Sequence, residues 1–243
     1  MGFFSELKAI LDIWDKFRGN WERKAKFEYL KFFKRLAVYE NGHGIVINSL
    51  EIRVLDKLEE IRRFFDVRSG NGCKDVCLPP LEDMRKREEK KRFIDVGFWY
   101  RSDIPCELVV EEDFEDRKKF VFKWATLLEK GRKINLSYAF SVPCMYPIKN
   151  GIFCPEKACN KNPRAKAEFE VKSRIKHFEY EIAFRGVEPE EPPVMKIFRE
   201  DCDSSKDKKP EVYFDPFYTR YRFSLKKPRV GYRISIQWKW KTR

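Results

Sequence analysis

The chain of 243 residues carries 52 Lys and Arg against 39 Asp and Glu, for a formal charge of +13 and a pI near 9.3. With 42% apolar and 16% aromatic residues it excludes a disordered composition, and its length allows one large β domain or two of about 100 residues without metal or disulfide staples. The basic excess favours acidic partners: nucleic acid, nucleotides, anionic lipid or an acidic protein.

The start, Met-Gly-Phe-Phe-Ser-Glu, lacks the basic region and apolar stretch of a secretory signal, and Glu6 stands where a myristoylation motif needs Ser or Thr. No apolar run reaches the roughly 18 residues of a membrane span. A soluble, cytoplasmic chain is expected. Residues 3–18 predict an amphipathic helix, because Phe3, Leu7, Ile10, Leu11, Trp14 and Phe17 share one face. Its balanced charges favour packing on a sheet or a protein partner, or self-association, over a membrane surface. Trp21 to Leu36 predicts a second helix, with the basic run from Arg23 to Arg35.

Leu36 to Tyr39 then predicts a short strand entering the turn Asn41-Gly42-His43-Gly44, whose Asn-Gly supplies positive φ, so Ile45 onward returns as a partner strand. Leu50, Ile52 and Val54 continue the alternation. Lys57 to Phe65 predicts a short helix, 69–80 a loop, and Leu81 to Arg92 a charged helical excursion. Strands resume at Phe93 to Tyr100 and Glu107 to Val110, before the acidic run from Glu111 to Asp116.

A strand pattern then occurs twice. Phe120, Phe122 and Trp124, a turn, and Gly131 with Ile134, Leu136, Tyr138 and Phe140 are matched by Tyr221, Phe223 and Leu225, a turn, and Gly231 with Ile234, Ile236, Trp238 and Trp240. The period of two is that of strands with one buried face, and each copy is expected as a hairpin. Turn formers from Val142 to Pro163 mark a boundary; Ala167 to Phe184 and Val194 to Phe198 read as further strands. The expectation is a mainly β fold of two related β-sandwich-like, immunoglobulin-like units with an N-terminal helical segment and short helical insertions. Residues 1–35 form that segment, 36–148 the first unit, 149–165 a linker and 166–243 the second unit.

Catalytic chemistry is poorly signposted. His43 and His177 are the two histidines, neither beside a nucleophile or ligand motif, and the glycine pairs at 42–44 and 70–72 lack the context of a phosphate loop. No cofactor is indicated. The seven cysteines include two close pairs, Cys73/Cys77 and Cys154/Cys159, which zinc, disulfides or free thiols would each satisfy. The strongest signal is the C-terminal stretch from Pro216, which contains no acidic residue. Alternation there sends Arg220, Arg222, Arg233, Ser235, Gln237, Lys239 and Lys241 outward, a set suited to phosphates. The first copy's outward positions are far less basic. These residues predict a non-enzymatic protein that binds nucleic acid or a nucleotide-like anion through this face, with a protein-interaction or assembly subunit as the alternative.

Overall fold

The structure, a computed structural model, describes residues 25–66, 98–113, 117–142, 145–155, 163–198 and 210–242. These form fifteen strands: β1 Phe27–Tyr39, β2 Gly44–Val54, β3 Leu58–Asp66, β4 Phe98–Ser102, β5 Cys106–Asp113, β6 Arg117–Leu128, β7 Lys133–Val142, β8 Ile148–Lys149, β9 Ile152–Phe153, β10 Arg164–Glu170, β11 Ile175–Arg185, β12 Pro189–Phe198, β13 Glu211–Asp215, β14 Arg220–Lys226 and β15 Arg233–Trp240. A seven-stranded sheet has the order β13-β14-β11-β1-β2-β7-β4; two three-stranded sheets, β3-β6-β5 and β10-β15-β12, and the small β8-β9 ribbon complete the fold.

The pairing order occurs twice. In the first half β2 pairs with β7, β7 with β4, β3 with β6 and β6 with β5, all antiparallel. In the second half β10 pairs with β15, β15 with β12, β11 with β14 and β14 with β13, again all antiparallel. β1 joins the halves, parallel to β11 and antiparallel to β2, and so fuses a sheet of each into the seven-stranded layer.

The duplicated glycine turn is built identically in both. Gly131 donates to the Val54 carbonyl and Val54 donates to that of Arg132, each at 2.9 Å; Gly231 donates to Val171 and Val171 to Tyr232, each at 2.8 Å. Both valines are buried, and both glycines take positive φ, 87° and 85°. Only glycine adopts that conformation without a steric penalty.

The strands on either side of each glycine are not hairpins. β6 lies in a three-stranded sheet and β7 in the seven-stranded one, while β14 and β15 take the opposite layers. The turn arches across the sandwich because both flanking strands bury their apolar face toward one shared core; a hairpin would have left one of those faces without a cover. Each half thus has six strands, one fewer than the seven of an immunoglobulin constant-type sandwich, and the immunoglobulin-like expectation finds no support in the pairing.

The two small sheets cover the two ends of the large sheet's inner face. Phe120 and Phe122 of β6 pack on Phe98, Tyr100 and Tyr138. Trp238 and Trp240 of β15 pack on Phe184, with Tyr146 closing the cluster, and Phe169 of β10 stacks on Phe178 at 5.0 Å. Truncating such a buried ring to alanine costs about 3–5 kcal/mol.

Two expected helices are strands. Trp21 to Leu36 becomes β1 from Phe27, and Lys57 to Phe65 becomes β3. Both carry a register irregularity, at Tyr29/Lys31 and at Leu58/Glu60. One extra residue in a strand sets Tyr29 and Phe32, or Leu58 and Ile61, three apart on the same face, which imitates helical spacing. The helices expected at 3–18 and 81–92 lie outside the described residues. The turn at 41–44 does join a true hairpin: Gly42 has φ 82° and donates to Tyr39 at 2.9 Å. No helix among the described residues is long and apolar enough to cross a membrane.

Candidate functional site: a donor-lined seam inside the sandwich

The expected cationic face is divided between two layers. Arg220 and Arg222 lie on β14, on the outer face of the seven-stranded sheet; Arg233, Ser235, Gln237 and Lys239 lie on β15 in the β10-β15-β12 sheet, with Lys241 just after it. Their charges are also engaged. Lys239 donates to Glu190 at 2.8 Å, Lys241 to Glu188 at 2.7 Å, and Arg233 has interactions of its own. Ser235 is fully buried and accepts from Gln237 at 3.2 Å. As expected, Phe223, Leu225, Ile234, Ile236, Trp238 and Trp240 face the core.

Arg220 and Arg222 serve a buried carboxylate. Glu181 of β11, with 0% exposure, receives Arg35 Nε at 2.6 Å, Arg222 Nη2 at 2.8 Å and Arg220 Nη1 at 3.8 Å. Arg220 also reaches Asp215 at 2.5 Å, and that bond, with the nearby Glu181 charge, pushes its pKa up. The register explains the cluster: Arg222, Glu181 and Arg35 are direct neighbours across β14, β11 and β1. Such an array fixes strand pairing and leaves little free charge for a ligand.

The inner face holds the opposite situation. One cross-sheet row runs Val212, Phe223, Tyr180, Lys34, Asn48, Tyr138 and Tyr100 from β13 to β4. It is polar in the middle, between rows that carry Phe32, Phe178 and Leu50 on one side and Leu36, Ile182 and Val46 on the other. Asn48 is buried and Lys34 is partly so. From the facing sheet, Arg63 of β3 reaches into the same place. It donates through Nε to Tyr138 Oη at 2.9 Å and through Nη1 to Tyr29 Oη at 3.1 Å. Its guanidinium lies 5.3 Å from the Phe32 ring centre, and Lys34 Nζ lies 5.4 Å from that of Tyr180.

Lys34 of the seven-stranded sheet and Arg63 of the facing sheet therefore lie close enough for the charge of one to act on the other. Neither has a carboxylate partner among the described residues. Burial, with the Arg63 charge added, lowers the Lys34 pKa to about 8. Burial raises those of Tyr29 and Tyr180, so both phenols stay protonated. Two cations thus lie among phenols and an amide, a charge excess that an interior compensates with an anion or by losing a proton.

The donor inventory is one-sided. Tyr29 and Tyr138 accept from Arg63 and so keep their own O–H for another acceptor, while the guanidinium has further N–H groups. Asn48 adds an amide at the end of the Lys34–Asn48 neighbour pair. An acceptor-only, negatively charged group suits such a set, and a carboxylate is the smallest that can take several donors at once. Among the described residues no group of three or more His, Cys, Asp or Glu is placed to hold a metal ion. Of the two cysteine pairs, Cys73, Cys77 and Cys159 lie outside the described residues, and Cys154 is a free thiol.

Sequence reasoning misses Lys34 and Arg63 because both fall in segments expected to be helices, Trp21 to Leu36 and Lys57 to Phe65. The signal lay in the phase after each irregularity: Phe32, Lys34, Leu36 and Val38 alternate, as do Ile61 and Arg63. A lysine inside an otherwise apolar alternation marks an inward-facing charge.

No protein-family model matches the chain, and no curated protein matches it in sequence. Among solved structures it is similar to a candidate protease from Parabacteroides distasonis (12% identity, TM-score 0.45, 89% of this chain and 41% of that one). It is also similar to an M1 zinc metallopeptidase from Deinococcus radiodurans (10%, 0.41, 87% and 42%) and to leukotriene A4 hydrolase from Saccharomyces cerevisiae (12%, 0.39, 87% and 29%). The chain spans less than half the length of these proteins, and at such identities and scores the likeness assigns neither activity nor substrate. The expectation of a non-enzymatic nucleic-acid or nucleotide-like binder acting through its basic C-terminal face, with an assembly subunit as alternative, is overturned. Of the residues that were to form the face, Lys239 and Lys241 are ion-paired, Arg220 and Arg222 are engaged with Glu181, Ser235 is buried, and β14 and β15 lie in different layers.

Proposed function

We propose that this chain is a receptor for a compact carboxylate, taken at the seam by Lys34 and Arg63 with Tyr29 and Tyr138 as further donors. The observation that carries the reading is the pair of inward cations without a carboxylate partner among the described residues, in a chain that answers its buried carboxylates with cations, Glu181 with three arginines and Glu28 with Arg53 and Lys176. The seam's described residues supply the charge and the hydrogen-bond donors that a carboxylate takes. The repeated pairing order supports a division into two related units, near 36–148 and 166–243.

Calorimetric titration of the full chain with propionate, in carbon-dioxide-free buffer at pH 7, tests the proposal. The expected result is saturable binding that weakens by roughly tenfold or more, about 1.4 kcal/mol or more, in both Lys34→Met and Arg63→Met. Inorganic phosphate serves as the comparison anion. Absence of saturable heat, or equal affinity in both variants, would refute it.

A further inference from the structure

We propose that Lys34 is a carbamylation site: its amine adds carbon dioxide, and the carbamate so formed supplies the seam with a carboxylate of its own. This deepens the reading of the seam as a carboxylate site, and rests on it. The amine lone pair attacks the carbon of CO₂, an N–C bond forms, and one C=O π pair moves onto oxygen. The nitrogen then loses a proton to water, leaving Lys34 as N–H–COO⁻. No oxidant, reductant or further co-reactant is needed.

Three features of the place favour that product. The reaction requires a neutral amine, and with a pKa of about 8 Lys34 at pH 8 presents roughly a hundredfold more of it than an ordinary lysine. The side chain is only partly buried, so a small apolar gas can reach it.

The third feature is the company the product would keep. Arg63 lies over Phe32, the preceding inward residue of β1, and is bonded to Tyr138, which stands beyond Asn48 in the row of Lys34 itself. A carbamate on Lys34 would turn a site of two cations into one cation facing one anion. The titratable groups that face it are Arg63, Tyr29, Tyr138 and Tyr180; burial holds the Tyr29 and Tyr180 phenols protonated, so neither competes as an anion. Opposite charge beside a buried group favours its charged form, so Arg63 holds the adduct against loss of CO₂.

The test uses the full chain equilibrated with ¹³C-bicarbonate at pH 8 and read by ¹³C NMR, beside propionate titration in carbon-dioxide-free buffer. Expected is a carbamate resonance, separate from bicarbonate, that is absent from Lys34→Met and reduced at least several-fold in Arg63→Met. Bicarbonate should also weaken propionate binding by a similar factor. No such resonance in the wild-type protein, or one that persists undiminished in Lys34→Met, overturns the inference. If propionate binds while no carbamate forms, the carbamate alone falls. If the carbamate forms and propionate does not bind in carbon-dioxide-free buffer, the inference holds and the receptor reading falls. Lys34→Met keeps an apolar stem of similar length and removes an unpaired charge, so it is expected to fold.

Discussion

Replacing Lys34 with methionine should make the empty protein more stable. An unfolded lysine titrates near 10.5 and the folded one at about 8, so the folded state carries a penalty that is full below pH 8 and gone above 10.5. At 1.36 kcal/mol per pH unit the shift is worth about 3 kcal/mol, and the water that reaches the partly exposed side chain reduces it to about 2–3 kcal/mol. Methionine retains the apolar stem against Phe32, Leu36 and Tyr180. The gain should therefore appear as a higher urea midpoint at pH 7 in carbon-dioxide-free buffer, and shrink below about 1 kcal/mol at pH 10. A variant that is less stable than wild type at pH 7, or stabilised equally at both pH values, would show that Lys34 is not an uncompensated inward charge.

The wild-type protein should itself gain stability as pH rises from about 8 toward 10, then lose it as the unfolded forms of Tyr29, Tyr180 and Tyr146 ionise and their folded forms, held protonated by burial, do not. Equilibrium denaturation across that range should show a maximum, and Lys34→Met should lack the rising limb. Glu181→Gln leaves Arg35, Arg220 and Arg222 around a neutral amide and should cost about 3 kcal/mol, read by the same assay. By contrast Lys239→Gln and Lys241→Gln, whose partners Glu190 and Glu188 are exposed, should change stability by under about 0.5 kcal/mol. Gly131→Ala and Gly231→Ala should each cost about 1 kcal/mol, because the added methyl meets nothing and only the positive φ resists it. Gly42→Ala should cost several times more, since its Cβ would fall 2.1 Å from the Tyr146 carbonyl oxygen.

Alternation carries most of what the sequence discloses of this fold. Ile234, Ile236, Trp238 and Trp240 are inward as their period requires, and the matching glycines at 131 and 231 mark turns of identical hydrogen bonding. What alternation cannot convey is which layer a strand enters: an arch and a hairpin place the same residues on the buried face, and only the pairing of Val54 with Gly131 and Val171 with Gly231 distinguishes them. Local period also misleads at a bulge, which is why β1 and β3 imitate helices. The candidate site was hidden for the same reason. Arg220 and Arg222 look like a ligand face until Glu181, forty residues away on the neighbouring strand, is placed beside them, and Lys34 looks like solvent-facing charge until its strand is known. Charge signs are visible in sequence, but the balance at a given spot depends on long-range register.

The most direct measurement is propionate titration of the wild-type chain against Arg63→Met and Lys34→Met in carbon-dioxide-free buffer across pH 7 to 9. A seam that takes a carboxylate on its two cations predicts saturable 1:1 binding, weaker by roughly tenfold or more in either variant. It also predicts proton uptake near pH 8 as the bound anion restores the charge on Lys34. Binding that is unchanged in both variants, or that proceeds without proton uptake at pH 8, would contradict it.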